Sequence, residues 1–105
     1  MGTGATLSKS LKSFKKKVNS DIPIKEIILF GSRAQGKGGK YSDVDLIIVS
    51  PKFKNLDFVE RGMKMYDYWS LDLPVDFLCY TPSEFTRAKQ QASIVREAMK
   101  KGVRI

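Results

Sequence analysis

IILFGSRAQGKGGKYSDVDLIIV, residues 27–49, sets two apolar runs on either side of a loop rich in glycine and positive charge. The flanking runs, 26–30 and 43–49, are dominated by branched and aromatic residues, which is the pattern of short β-strands. Asp43 and Asp45 are two residues apart, so on an extended strand both carboxylates project to the same side. The stretch therefore predicts two strands joined by a loop, with an acidic pair at the start of the second strand.

Apolar spacing and turn signals predict the remaining elements. Helices are expected at about 6–20, 57–70, 82–90 and 92–101, with further strands at 75–80 and 103–105. The order α-β-loop-β-α-β-α-α predicts one small α/β (α+β) domain spanning residues 1–105, in which helices pack against a sheet. Residues 1–5 are small and are expected to be disordered.

Two helices carry more detailed predictions. In the helix at 57–70, an apolar stripe is expected to face the core and a charged set to face solvent. The stripe consists of Val59, Met63, Tyr66 and Trp69, and the charged set of Asp57, Glu60, Arg61 and Lys64. The helix at 82–90 has a strong start signal, because Thr81 can cap it and Glu84 can complete a capping box.

Composition limits the chemistry. The 105 residues include no histidine and one cysteine, Cys79, so no internal disulfide is possible and a reducing cytoplasm is favoured. No apolar run is long enough to cross a membrane, and the N-terminus lacks a signal peptide pattern. The net charge of +8 is concentrated at the two ends of the chain. This bias favours an anionic partner, although lysine-rich solvated helix faces explain it equally well.

The loop from Gly31 to Lys37 approaches the P-loop pattern, but the residues that follow argue against it. A P-loop needs Ser or Thr after its lysine and a helix that begins there. Gly38 and Gly39 occupy those positions and disfavour a helix. A phosphate site at the front of the loop fits better, where Gly31 permits close approach, Ser32 donates a hydroxyl and Arg33 adds positive charge.

Asp76 is a third acidic residue within an apolar strand. If its strand lies beside the strand of Asp43 and Asp45, the three carboxylates can hold two Mg²⁺ ions, the arrangement used for phosphoryl and nucleotidyl displacement. Taken singly, each acidic residue is explained equally well as a solvated strand end or a cap. The combination of glycine turn, acidic pair and third acid in strand order is the specific signal.

These residues resemble a known family. Gly31-Ser32 followed by Ser42-Asp43-Val44-Asp45-Leu46 resembles the signature of the DNA polymerase beta-like nucleotidyltransferase superfamily, and "GSRAQG…SDVDLIIV" is similar to its minimal nucleotidyltransferases. The resemblance continues through "VDFLCYTPSEF" and "REAMKKG". It implies a small mixed sheet with helices packed against it. Gln35 departs from relatives that carry Arg or Lys at that position.

The resemblance also implies roles and partners. Asp43, Asp45 and Asp76 would be the catalytic metal ligands for Mg²⁺, and Gly31, Ser32 and Arg33 would bind the nucleotide. Many minimal nucleotidyltransferases act as antitoxins of helical HEPN toxins, and some transfer AMP from ATP to the toxin. The leading hypothesis is therefore transfer of a nucleoside monophosphate to a partner protein. A non-catalytic antitoxin that binds nucleotide or metal is the alternative, and nucleic-acid binding is a weaker third, because no recognition motif is present.

Overall fold

The computed structural model describes residues 3–36, 39, 42–91 and 93–105. It confirms the predicted order of elements and adds one 3₁₀ helix, Pro51–Asn55. The helices are α1 (Thr3–Asn19), α2 (Phe58–Tyr66), α3 (Pro82–Gln91) and α4 (Ser93–Lys101), and the strands are β1 (Glu26–Phe30), β2 (Val44–Val49), β3 (Val75–Tyr80) and β4 (Val103–Arg104).

The boundaries differ from the prediction mainly in two helices. Helix α1 begins at Thr3, three residues earlier than expected, whereas α2 ends at Tyr66 rather than near residue 70. Met1 and Gly2, the first two of the five residues expected to be disordered, lie outside the described residues.

The four strands form one mixed sheet in the order β3-β2-β1-β4. Strand β2 pairs antiparallel with β1 and parallel with β3, and β4 pairs antiparallel with β1. A parallel pair needs a crossover connection, which here is the segment that contains the 3₁₀ helix and α2. The mixed sheet implied by the resemblance is therefore present.

Alternate residues of the strands feed two hydrophobic clusters, one on each face of the sheet. On one face, Leu46 and Ile48 of β2 pack with the buried stripe of α1 and with Phe53 and Met65. On the other face, Ile47 and Val49 pack with α3 and α4. The predicted α1 stripe is confirmed, and its members are all buried: Leu7, Leu11, Phe14 and Val18.

The predicted orientation of this helix was wrong within α2, although Trp69, beyond its end, packs against the core, and the other three charged residues are exposed as expected. Val59, Met63 and Tyr66 are more than half exposed, whereas Arg61, expected to face solvent, is 7% exposed. Met65 is the fully buried side chain of this helix. The apolar residues of α2 cover more than one of its sides, so hydrophobic spacing alone could not fix which side meets the sheet.

Arg61 is buried because its guanidinium group has acceptors for most of its donors. Its Nε donates to the Leu56 carbonyl at 2.9 Å, and one terminal nitrogen donates to the Cys79 carbonyl at 3.1 Å. Both carboxylate oxygens of Glu84 also accept from Arg61, the shorter contact being 2.6 Å. A planar, satisfied guanidinium can be buried at a tolerable cost, which an unpaired charge cannot.

Glu84 also caps the start of α3, as predicted. Its carboxylate accepts from the Thr81 backbone N–H at 2.9 Å, and the Glu84 N–H donates to the Thr81 hydroxyl at 3.2 Å. One carboxylate therefore joins α2, α3 and the end of β3. The hydrogen bond from Arg61 lowers the pKa of Glu84 below its ordinary value of 4.5.

Cys79 lies in β3 with its side chain in the core. Burial disfavours the thiolate and raises the pKa of this thiol to about 12. Among the described residues, no helix combines the length and the apolar character needed to span a bilayer.

Replacement of Glu84 by Gln should destabilise the protein in a pH-dependent way. Gln retains the capping geometry, but the buried Arg61 loses its counter-charge, so we expect the free energy of unfolding at pH 7 to fall by about 1–3 kcal/mol. Because the pKa of Glu84 is lowered on folding, this stabilisation is complete above 4.5 and is lost as the pH falls through the folded value. Urea denaturation of both proteins from pH 7 to pH 3 measures it, and a pH-independent difference would contradict the role given to the charge.

Candidate active site

Pairing of β2 with β3 brings two of the predicted acidic residues together. Asp45 and Asp76 occupy partner positions in the parallel register, so their Cα atoms lie on neighbouring strands roughly 5 Å apart. Both belong to the set of alternate residues that faces α3 and α4, as do Ile47 and Leu78. Asp45 is partly buried and Asp76 is exposed, so the pair lies at the accessible end of this face.

Asp43 lies two residues before Asp45 in the chain. Strand β2 begins at Val44, one residue later than predicted, and Asp43 is exposed. The Val44 N–H donates to the Pro74 carbonyl at 2.9 Å, which ties the start of β2 to the start of β3. The loop that carries Asp43 is therefore anchored beside the strand that carries Asp76.

The three carboxylates interact electrostatically. The pKa of Asp45 is raised above its ordinary value, first by burial and then by the negative charges of Asp76 and Asp43. Within residues 3–36, 39, 42–91 and 93–105, no three acidic or cysteine side chains converge closely enough to form a ready metal-binding cluster. The structure thus brings the predicted acidic residues into one neighbourhood without drawing their oxygen atoms together.

Gly31 packs against the side chain of Asp45, one of these three acidic residues. It follows β1 with a φ of +78°, a conformation that favours glycine. A Cβ atom placed on Gly31 would overlap Oδ2 of Asp45, and its next nearest neighbour would be Cγ of Asp45 at 3.3 Å. The side chain of Asp45 therefore occupies the space that any larger residue at position 31 would need.

The front half of the loop is a compact turn. Three successive backbone hydrogen bonds of 3.2–3.3 Å span three residues each, from the N–H groups of Ala34, Gln35 and Gly36. Ser32 is exposed on this turn. Such a turn beside a glycine can present backbone N–H groups to an anion, which suits a phosphate site.

Arg33 connects the turn to the second strand. Its Nε donates to the Ser42 carbonyl at 2.8 Å, across the loop and one residue before Asp43. The Ser42 hydroxyl in turn accepts from the Gly39 N–H at 2.8 Å. Sequence reasoning assigned Arg33 to the nucleotide alone and missed Ser42 as its anchor, although Ser42 adjoins the acidic motif. Lys37, Gly38 and Lys40, which were considered as P-loop or polyphosphate residues, lie outside the described residues.

The residues present fit a divalent cation. Carboxylate oxygens are the ligands that Mg²⁺ prefers, and a cation would neutralise the repulsion that raises the pKa of Asp45. Gly31 lacks a side chain, so its backbone packs closely against the Asp45 carboxylate and is partly exposed at the start of the turn, where a phosphate group would bind. Asp43, Asp45 and Asp76 are the residues that would hold the ion.

Two glycines of the loop provide a matched test of the contact between Gly31 and Asp45. Gly31 and Gly36 have φ values of +78° and +71°, but only Gly31 has an atom within 4 Å of the Cβ position. Gly36→Ala should cost about 1–2 kcal/mol for backbone strain alone. Gly31→Ala should cost at least 1 kcal/mol more, because Asp45 must move. Urea denaturation measures both, and equal costs would contradict the packing of Asp45 against Gly31.

Removing one carboxylate should lower the pKa of another. Asp76→Asn deletes a negative charge that raises the pKa of Asp45, so the Asp45 carboxyl should titrate at lower pH in the variant. Carbon-detected NMR of the side-chain carboxyl measures this shift. Asp72→Asn is the control, since Asp72 is an exposed acidic residue outside the group and is not among the causes of the shift. An unchanged Asp45 pKa in Asp76→Asn would contradict the electrostatic interaction between the two carboxylates.

Comparison with known proteins shows which proteins this chain is similar to. The probable protein adenylyltransferase MntA of Haemophilus influenzae is 35% identical over 86 residues, which cover 78% of this chain and 74% of the relative. A solved candidate nucleotidyltransferase from Sulfolobus solfataricus superimposes with a TM-score of 0.69 at 24% identity, covering 96% of this chain and 80% of that one. A toxin–antitoxin structure with AMP-PNP matches with a TM-score of 0.56 at 23% identity, covering 91% and 69%.

Because both structural matches are below 25% identity, they show the fold of this chain and nothing about its function. The model of the nucleotidyltransferase domain family matches residues 8–105, which include the glycine turn and all three acidic residues. Together with the similarity to MntA over most of the chain, this match shows that the chain belongs to the nucleotidyltransferase domain family.

Proposed function

We propose that this chain is a Mg²⁺-dependent nucleotidyltransferase that transfers a nucleoside monophosphate, AMP from ATP, to a hydroxyl group of a partner protein. We further propose that the partner is a HEPN-type toxin and that the transfer makes this chain its antitoxin. The observation that carries the proposal is the neighbourhood of Asp45, Asp76 and Asp43 beside Gly31.

The comparisons support the choice of nucleotide and partner. MntA, the relative at 35% identity, is named as a protein adenylyltransferase, which is an enzyme that transfers AMP to protein. The toxin–antitoxin structure that shares this fold contains AMP-PNP, an ATP analogue. Transfer of AMP to a toxin is the reaction that agrees with both descriptions.

Each residue of the site has a part in this proposal. Asp43, Asp45 and Asp76 would hold Mg²⁺ as two ions, and a bound ion would orient the triphosphate and stabilise the leaving pyrophosphate. Gly31 and Ser32 would receive the phosphates through backbone N–H groups and a hydroxyl, and Arg33 would contribute charge from its place across the loop.

The proposed reaction conserves its atoms. The acceptor hydroxyl oxygen forms a bond to the α-phosphorus of ATP, and the bond from that phosphorus to the oxygen bridging to the β-phosphate breaks. The electron pair leaves with pyrophosphate. The hydroxyl proton is lost as the bond forms, and an exposed carboxylate such as that of Asp76 can accept it.

Labelled ATP tests the proposal directly. The chain is purified with the protein encoded by the neighbouring reading frame, which is the partner to be tried first. Label from α-phosphate-labelled ATP should enter that partner in the presence of Mg²⁺, whereas γ-phosphate label should not. Asp43→Asn and Asp45→Asn should each reduce incorporation at least 100-fold, or about 2.7 kcal/mol of transition-state stabilisation.

Asp72→Asn is the matched control, because it removes an exposed carboxylate outside the site. It should retain normal incorporation. Full incorporation by Asp43→Asn and Asp45→Asn would overturn the proposed site. Neutralisation of the toxin by these two variants, in the absence of any α-label transfer by the wild type, would instead support an antitoxin that acts by contact.

A further inference from the structure

Asp43 differs from the other two acidic residues of the site because it lies outside the sheet. The antiparallel pairing of β1 with β2 ends at Asp45, and the parallel pairing of β2 with β3 begins at Val44. Asp43 is exposed on the loop that precedes them. A carboxylate that binds a metal ion from a loop needs some other group to fix its direction, because a loosely held ligand weakens the site.

Hydrogen bonds hold the peptide unit on each side of Asp43. After it, the Val44 N–H donates to the Pro74 carbonyl at 2.9 Å. Before it, the Ser42 carbonyl accepts from Nε of Arg33 at 2.8 Å. Each peptide unit is planar, so the backbone at Asp43 turns only through its two dihedral angles, φ and ψ. Holding both flanking units restricts both angles, and therefore restricts the direction in which the Asp43 side chain leaves the backbone.

Arg33 can restrain this peptide unit because its own backbone is held in the compact turn after β1. Its carbonyl accepts from the Gly36 N–H at 3.3 Å, and the turn begins with a hydrogen bond of 3.2 Å from the Ala34 N–H to the Gly31 carbonyl. Ala34 also packs against the hydrophobic cluster that contains the α1 stripe. The Arg33 side chain therefore extends from an anchored base.

The hydrogen bond from Arg33 to Ser42 is of a kind that resists competition from water. Both residues are partly buried, and the donor carries a positive charge. A charged donor gives a stronger hydrogen bond than a neutral one. The bond joins residues nine positions apart and crosses from the front of the loop to its end. It therefore links the turn that would bind phosphate to the residue beside Asp43.

We propose that Arg33 is a positioning residue, which holds the Ser42 carbonyl and thereby fixes the Asp43 carboxylate in the direction needed for metal binding. This role rests on the proposed function, which makes Asp43 a ligand of Mg²⁺. It is separate from any charge that Arg33 contributes to phosphate binding, because it requires only an N–H group at the position of Nε. Removing a residue that orients a metal ligand typically weakens metal binding by about 10- to 100-fold.

Two substitutions of similar length separate the hydrogen bond from the charge. In Arg33→Gln, the amide nitrogen takes the place of Nε in the side chain, so a donor remains while the charge is lost. In Arg33→Met, neither the donor nor the charge remains. If Arg33 acted through its charge alone, the two variants would behave alike. If Arg33 positions Asp43, Arg33→Gln should resemble the wild type and Arg33→Met should not.

Relaxation of backbone ¹⁵N nuclei measures the restraint directly, with no metal or nucleotide present. The Asp43 amide belongs to the peptide unit that Arg33 holds. Its order parameter should be about 0.85 in the wild type and in Arg33→Gln, and should fall below about 0.6 in Arg33→Met. The amides of Ala34 and Gly36 should stay ordered in both variants, because backbone carbonyls are their acceptors. An ordered Asp43 in Arg33→Met, or a loss of order across the whole turn, would overturn the proposal.

Titration with Mn²⁺ alone measures the consequence for the metal site. Mn²⁺ takes the same oxygen ligands as Mg²⁺, and the electron paramagnetic resonance signal of the free ion reports its concentration. The dissociation constant should rise about tenfold or more in Arg33→Met and should change little in Arg33→Gln. Equal weakening in both variants would assign the effect to charge and overturn the positioning role.

Failure of the proposed function would give a different result. A wild type that neither binds Mn²⁺ nor transfers label from the α-phosphate of ATP would overturn the proposed function and, with it, the metal-binding purpose of the restraint. The order parameters would still decide whether Arg33 holds the peptide unit before Asp43. A wild type that transfers label, combined with an Arg33→Met variant of unchanged order and unchanged Mn²⁺ affinity, would overturn the positioning role alone.

Discussion

Strand β2 is the constraint on which both the fold and the acidic group depend. It is the central strand that pairs antiparallel with one neighbour and parallel with the other, and it is buried on both faces except at Asp45. Its parallel pairing requires the crossover through α2, and the same register sets Asp45 beside Asp76. Its antiparallel pairing brings the end of β1 to the same place, so that Gly31 meets Asp45. One strand thus determines which elements surround the carboxylates.

This arrangement places the Asp45 carboxylate where folding disfavours its charged form. Asp45 is desolvated in part and lies near two other negative charges, and both effects raise its pKa. Ordinary structural carboxylates are stabilised by folding, as Glu84 is by Arg61. The charged form of Glu84 therefore stabilises the folded chain, whereas the charged form of Asp45 destabilises it. A strained electrostatic group of this kind is typical of a functional site.

Much of this could be predicted from the sequence, because the relevant signals are local. Short runs of branched and aromatic residues located the strands, and the capping box located the start of α3. The orientation of α2 could not be predicted, because the burial of Arg61 depends on acceptors supplied by Leu56, Cys79 and Glu84. These groups come from three different segments. Contacts that need the register of two strands, such as that of Gly31 with Asp45, are likewise invisible to spacing rules.

The burial of Cys79 makes its thiol unreactive toward oxidants while the domain is folded. Thiol reagents and peroxides react with the thiolate form, and the raised pKa of about 12 keeps the Cys79 thiol protonated at pH 7. The core around it also excludes reagents from the sulfur. The chain's one cysteine is therefore protected from oxidation while the domain is folded. A cysteine introduced on the surface would be the only thiol open to a chemical label, with no need to remove the native one.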